Sequence, residues 1–148
     1  MRYSGISLLG LTSVAALFLL STQDVSAAQQ DLQCPAGIAP ESLHVDTGAG
    51  EWTAFVPRAL PLTAAGFAQG EPAMRASLKP ASTEKRADGS QVKWVFEGAY
   101  PHGKWLVCDY ANGVAMYSRR IADDAAVCVV SYRRGKQGAQ NISRIRCE

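Results

Sequence analysis

From residue 91 onward, apolar and polar positions alternate in short blocks separated by turn residues, the period of antiparallel strands with one face in a core. Residues 91–97 put Val92, Trp94 and Phe96 on one side. Residues 98–103 hold Pro101 and Gly103 and predict a turn, and 104–110 predict a strand. Asn112-Gly113 is a strong hairpin signal, because both central positions of a type I′ turn need positive φ. Residues 114–119 run back, 122–125 turn, 126–132 form a strand buried by composition, 133–140 make a polar loop around Gly138, and 141–147 close the run. Treated as a meander, these turns set Cys108 opposite Tyr117, Tyr117 opposite Val130, and Cys128 opposite Cys147. Facing residues share a sheet face. That face then collects Leu106, Cys108, Tyr110, Ala115, Tyr117, Cys128, Val130, Tyr132, Ile145 and Cys147. The opposite face carries Trp105, Val107, Met116, Val127 and Val129 among polar residues and is too apolar to be fully wet, which predicts partial cover by the N-terminal part.

The chain before residue 91 is less regular. Residues 28–50 are rich in Pro, Gly and Ala, with a short strand predicted at 42–45. Residues 51–57 predict a strand ended by Pro57. Residues 60–79 predict irregular chain with one or two short strands, and the polar stretch 79–90, closing on Asp88-Gly89, predicts a loop. Met1-Arg2, the uncharged apolar run 6–20 and Val25-Ser26-Ala27 form a secretory signal, so residues 1–27 are expected to be removed and 28–148 to fold as a single disulfide-bonded β domain. No later segment is long and apolar enough to span a bilayer, so no membrane span is expected after cleavage. The expected location is periplasmic or secreted.

Cys34, Cys108, Cys128 and Cys147 are an even set in a chain bound for an oxidising compartment. The meander register puts Cys128 beside Cys147 on adjacent strands. Cys108 falls two strands from Cys128, about 9–10 Å away and beyond bridging reach. Cys34 is left for Cys108, one of three pairings that four cysteines allow. The expected fold is all-β, an antiparallel meander sheet or a small sandwich or partial barrel, stapled by two disulfides.

Net charge is +2 but uneven: residues 98–148 hold eight Lys/Arg against four Asp/Glu, giving +4, and 28–97 hold six against eight, giving −2. Arg119-Arg120, Arg133-Arg134, Lys136, Arg144 and Arg146 carry the excess. Arg133, Arg134 and Lys136 on the 133–140 loop are the candidate partner-binding residues, for a protein or an anionic envelope component. A solvated sheet edge and hairpin tip would account for the same charges.

Catalytic chemistry has no foothold in the pattern. His44 and His102 are far apart, there is no CxxC, no G-x-S-x-G elbow, and Asp123-Asp124 sits in a predicted turn, so no catalytic residue, metal ligand or cofactor is assigned. Trp52, Trp94 and Trp105 are expected to pack in a core or between sheets rather than stack on sugar. Asn141-Ile142-Ser143 matches the short glycosylation sequon. Arg133-Arg134-Gly135-Lys136 lacks the surrounding fold motif of a nucleic-acid binder, so no nucleic-acid partner is expected.

Cys34-Pro35, the run 105–110 (WLVCDY), the run 127–132 (VCVVSY) and the terminal Ile145-Arg146-Cys147 carry a resemblance. The chain resembles a family of small secreted proteobacterial proteins with a four-cysteine β domain, most closely over 104–148. The resemblance implies a bacterial periplasmic protein and transfers no functional residues. Size, compartment and class also match lysozyme inhibitors and immunity proteins against secreted toxins. The expected function is therefore non-enzymatic binding of a protein in the cell envelope, in its sharper form as an inhibitor or immunity-type protein. The alternatives are an envelope hydrolase with an unrecognised site and a structural accessory of an envelope complex.

Overall fold

The computed structural model describes residues 29–46, 48, 50–136 and 140–148 of the 148-residue chain. The expected signal segment and cleavage site, and Gly138, on which the predicted 133–140 loop is centred, lie outside the described residues. Among the described residues the chain forms nine strands in two antiparallel sheets that are not closed into a barrel. The strands are β1 (Gln30–Leu32), β2 (Gly37–Ile38), β3 (Leu60–Gln69), β4 (Ser82–Arg86), β5 (Gly89–Val95), β6 (Lys104–Tyr110), β7 (Ala115–Arg120), β8 (Val127–Arg134) and β9 (Gln140–Cys147). Sheet one has the order β1-β9-β8-β5-β4 and sheet two the order β2-β3-β6-β7. None of the described helices is long and apolar enough to cross a membrane.

Alternation along the strands builds the interior. Sheet one turns Leu32, Trp94, Cys128, Val130, Ile145 and Cys147 inward, and sheet two turns Ile38, Ala65, Phe67, Leu106, Cys108 and Tyr110 toward them. Phe67 of β3 meets Trp94 of β5 edge-on, with ring centres 5.2 Å apart, and also meets Phe96 at 5.5 Å. The Tyr132 hydroxyl crosses the gap and donates to the Ala65 carbonyl at 3.1 Å. The predicted apolar face is thus interior on β6, β8 and β9, but its two halves belong to opposite sheets and face each other, and its β7 members fall short: Ala115 is half-buried and Tyr117 exposed.

Both predicted hairpins keep their register at the cysteines, although β8–β9 shifts by one residue beyond Ser131 at a bulge. Cys108 pairs with Tyr117 on β6–β7, and Cys128 pairs with Cys147 on β8–β9. The first hairpin closes through four residues rather than two, with Ala111, Asn112 and Gly113 all at positive φ. Thr63, the extra residue of a bulge in β3, holds that loop: its hydroxyl donates to Asp109 and accepts from the Asn112 N–H.

The predicted meander fails at its middle turn. β7 does not pair with β8, so Tyr117 does not face Val130; β8 pairs with β5 instead. The cause is the connection after Arg120. Ile121 and Ala125 are buried in the core, and the Lys104 ammonium, itself buried, donates to the Ala125 carbonyl while lying 5.3 and 5.5 Å from the Phe96 and Tyr100 ring centres. Anchored inward, this turn carries the chain across the gap between the sheets. Cys108 and Cys128 accordingly lie on different sheets, not two strands apart on one.

Four further expectations are corrected. Residues 60–69 are one ten-residue strand held by its ladder with β6, which the low strand propensity of Ala64, Ala65, Gly66 and Ala68 conceals. Residues 82–86 form a strand rather than a loop: all five are exposed, and only their ladder with β5 distinguishes them from a polar turn. A side chain at Gly89, where this hairpin meets β8, would collide with the Tyr132 carbonyl. Residues 42–45 and 51–57 form no strand, since no neighbouring strand is available to pair with them.

The disulfides are Cys34–Cys108, tying the segment after β1 to sheet two, and Cys128–Cys147, joining neighbouring strands of sheet one. They close sequence separations of 74 and 19 residues. Each should contribute about 2–5 kcal/mol, and loop-closure entropy makes the longer link worth about 1 kcal/mol more. Paired replacement of Cys34 and Cys108 by Ala should therefore lower the urea midpoint further than paired replacement of Cys128 and Cys147, as measured by equilibrium unfolding.

Candidate functional site

The outer face of sheet one concentrates the charge. Strand alternation places three cross-strand rows there. One holds Arg86, Gly89 and Arg133; the next holds Glu84, Gln91, Ser131 and Arg144; the third holds Ser82, Lys93, Val129, Arg146 and Asp31. Five cations against two carboxylates give these three rows a charge of +3, and Glu148, beside Val127 at their end, lowers the face to +2. Arg86, Arg133 and Arg144 share a depression of about 330 Å³ with the hydroxyls of Ser90, Ser131 and Ser143. The Ser90 and Ser143 hydroxyls already donate to Gln140 and to the Ser131 carbonyl, and Asp88 also lines the depression. The three guanidiniums suit a carboxylate-bearing surface, since Arg offers a planar fork of donors to each carboxylate.

The carboxylates on this face are engaged. Asp31 takes a forked pair of hydrogen bonds from Arg144 at 2.9 and 3.0 Å and lies 3.6 Å from Arg146. The hydrogen bond from Arg144 holds the Asp31 carboxyl below its ordinary value, and Asp31 in turn raises Arg144. Glu84 lies 3.6 Å from Arg86. Arg133, Arg134 and Lys136 make no ion pair among the described residues, and all three are exposed. Arg133 and Arg134 are not on a loop as predicted: β8 runs on through them because they pair with Asn141 and Gln140 of β9, and only Lys136 lies beyond the strand. The Arg134 N–H donates to the Asp88 carbonyl, which fixes the end of β8 against the β4–β5 turn.

The structure divides the predicted basic surface. Arg133, Arg144 and Arg146 come together on sheet one, whereas Arg119 and Arg120 lie on β7 of sheet two, where Arg120 pairs with Asp123 at 2.9 Å. Arg86 and Lys93, from the acidic half of the chain, join the face through the β5–β8 ladder. Nothing in their local sequence marks them; only that long-range pairing does. On this outer face Val127 and Val129 are half-buried beside Arg146 and Arg144 while Val95, opposite Val127, is exposed; the N-terminal part supplies the edge strands β1 and β4 rather than the predicted cover.

Other candidates stay apart. His44 and His102 are exposed, and the described residues contain no group of three or more His, Cys, Asp or Glu able to hold a metal. Of the tryptophans, Trp94 is in the core and Trp105 is half-buried, its ring N–H donating to the His102 carbonyl. Trp52 is not in a core: it is 76 % exposed on the long connection before β3, near Phe55 at 84 %.

The family model of the type VI secretion system Tli immunity protein matches residues 57–148. The chain belongs to this family. No curated protein and no solved structure matches it. The protein is thus of the immunity type, acting on a protein partner. The matched segment spans β3 to β9 and holds every residue of the basic face except Asp31. β1, β2, Cys34 and the Trp52–Phe55 connection precede it.

The Asp31–Arg144 pair gives this immunity protein a pH signature. Because the folded carboxyl sits below its ordinary value of 3.8, the pair stabilises the docking of β1 above that value and loses the contribution as pH falls through the lower one. Asp31→Asn should melt slightly below the unmodified protein at pH 7, a small gap because the pair is exposed. The two melting curves should converge as the pH is taken below 3.8.

Proposed function

We propose that this is a non-enzymatic periplasmic immunity protein that binds a type VI secretion effector and blocks it, with the basic face of sheet one, and Arg133, Arg134 and Lys136 at the end of β8, making first contact. The family match carries the reading. Two buried disulfides fit an oxidising compartment outside the cytosol, in keeping with the apolar leader and cleavage site of the sequence. Unpaired Arg133, Arg134 and Lys136 favour an effector surface rich in carboxylates. Charges at such a rim raise the association rate more than they slow dissociation.

Two measurements test this reading. A cell attacked by its own effector should be protected by the exported protein and not by a form retained in the cytosol; equal protection by both would overturn the periplasmic site of action. Replacing Arg133, Arg134 and Lys136 together by Ala should slow association with the purified effector by about tenfold at low salt, leave dissociation nearly unchanged, and lose its effect as salt rises. Unchanged association at low salt would make these residues a solvated hairpin tip.

A further inference from the structure

β9 is longer than the strand beside it. β1 covers only Ile145, Arg146 and Cys147, and its last pair is Leu32 with Ile145. The chain then leaves sheet one: Cys34 is bonded to Cys108 on β6, and the Leu62 N–H donates to the Ala36 carbonyl beside β3. Residues 140–144 of β9 pair with β8 on one side and with no described strand on the other. A bulge leaves Ser143 without an opposite residue even on β8. Along this open edge runs a groove of about 590 Å³, with Leu32, Leu62 and Ile142 as its apolar lining and Gln33, Asn141 and Ser143 as its polar rim.

Two of the other outer edges carry charges that guard against pairing. β4 presents Glu84, Lys85 and Arg86 along five exposed residues, and β7 ends in Arg119-Arg120. The open stretch of β9 has one charge, Arg144, which is drawn off to Asp31. Arg144 and Ser143 also line the three-arginine depression, so the groove continues directly into the basic face.

We propose that this edge receives an extended segment of the effector, added as a strand beside residues 141–144, with an apolar side chain in the groove and an acidic residue toward Arg144 and Arg133. The proposal rests on the immunity reading given above. Main-chain hydrogen bonds to a free edge supply affinity, and the pocket for alternate side chains supplies specificity. Four residues of edge span about 13 Å, enough for one apolar side chain and its flanking residues. The basic face at one end selects the charge and direction of what enters.

The test uses the disulfide-intact protein and, as probes, the purified effectors of the producing cell's type VI system, each in turn. Amide exchange is measured with and without the effector. The outward-pointing amides of residues 141–144 should slow by at least about tenfold in the complex, while those of β4 should not. Ala36→Trp fills the groove from an exposed position and should weaken binding at least about tenfold with its melting temperature retained. Thr83→Trp, on the far edge, should bind as the unmodified protein does. If Ala36→Trp fails to fold, exchange on the unmodified protein decides alone. Binding with no protection at 141–144, or full affinity in folded Ala36→Trp, overturns the proposal and leaves the immunity reading standing. Protection that appears in the protein alone and grows with its concentration overturns it in favour of pairing between two copies. If no effector binds the unmodified protein, the immunity reading fails and the proposal falls with it.

Discussion

The contact of Phe67 with Trp94 and Phe96 is the junction on which the two sheets depend. Each sheet has one apolar face, and neither face is stable in water without the other. Phe67 stands on β3, near the middle of sheet two, and Trp94 on β5 of sheet one, so the contact ties strands that share no backbone hydrogen bonds. Tyr132 strengthens the junction with a directional bond to Ala65, and burial raises its phenol above the ordinary range, which keeps it a neutral donor. Everything that faces solvent is held in place by this inner layer: the alternation that turns Val130 and Cys128 inward also turns Ser131 and Arg133 outward.

Local order was plain in the sequence and sheet membership was not. Asn112-Gly113 announces a hairpin, and the strict alternation of residues 104–110 and 127–132 sets the partners of Cys108 and Cys128 correctly. A period of two tells which residues share a side of a strand, but it is silent on which sheet the strand joins. The meander went wrong at residues 121–125 because a turn that points apolar side chains inward looks, in sequence, like any short turn. β3 was hidden by its Ala and Gly, whose low strand propensity is overridden by the long-range ladder with β6. β4 was hidden by its polarity, since a strand exposed along its whole length resembles a loop.

The candidate site was half visible for the same reason. Arg133, Arg144 and Arg146 are close in sequence and stand out as a basic cluster, whereas Arg86 and Lys93 reach the face only through pairing across some forty residues. The open edge of β9 had no sequence signal at all. It exists because the Cys34–Cys108 bond draws the chain away after Leu32, and the vacancy is a consequence of where a neighbour stops.

The pairing of β1 with β9 also constrains how the molecule is made. The first described strand lies against the last, and β9 stands between β1 and β8 in sheet one. A chain that emerges amino end first therefore holds β5 without its central partner until β8 appears, and β1 without any partner until β9 follows. Sheet two, whose strands all lie before residue 121, can zip earlier, but its apolar face stays uncovered meanwhile. Completion waits for Cys147, so a molecule stalled only a few residues short of its end is left with an exposed half-core, an invitation to aggregation or to a holding chaperone.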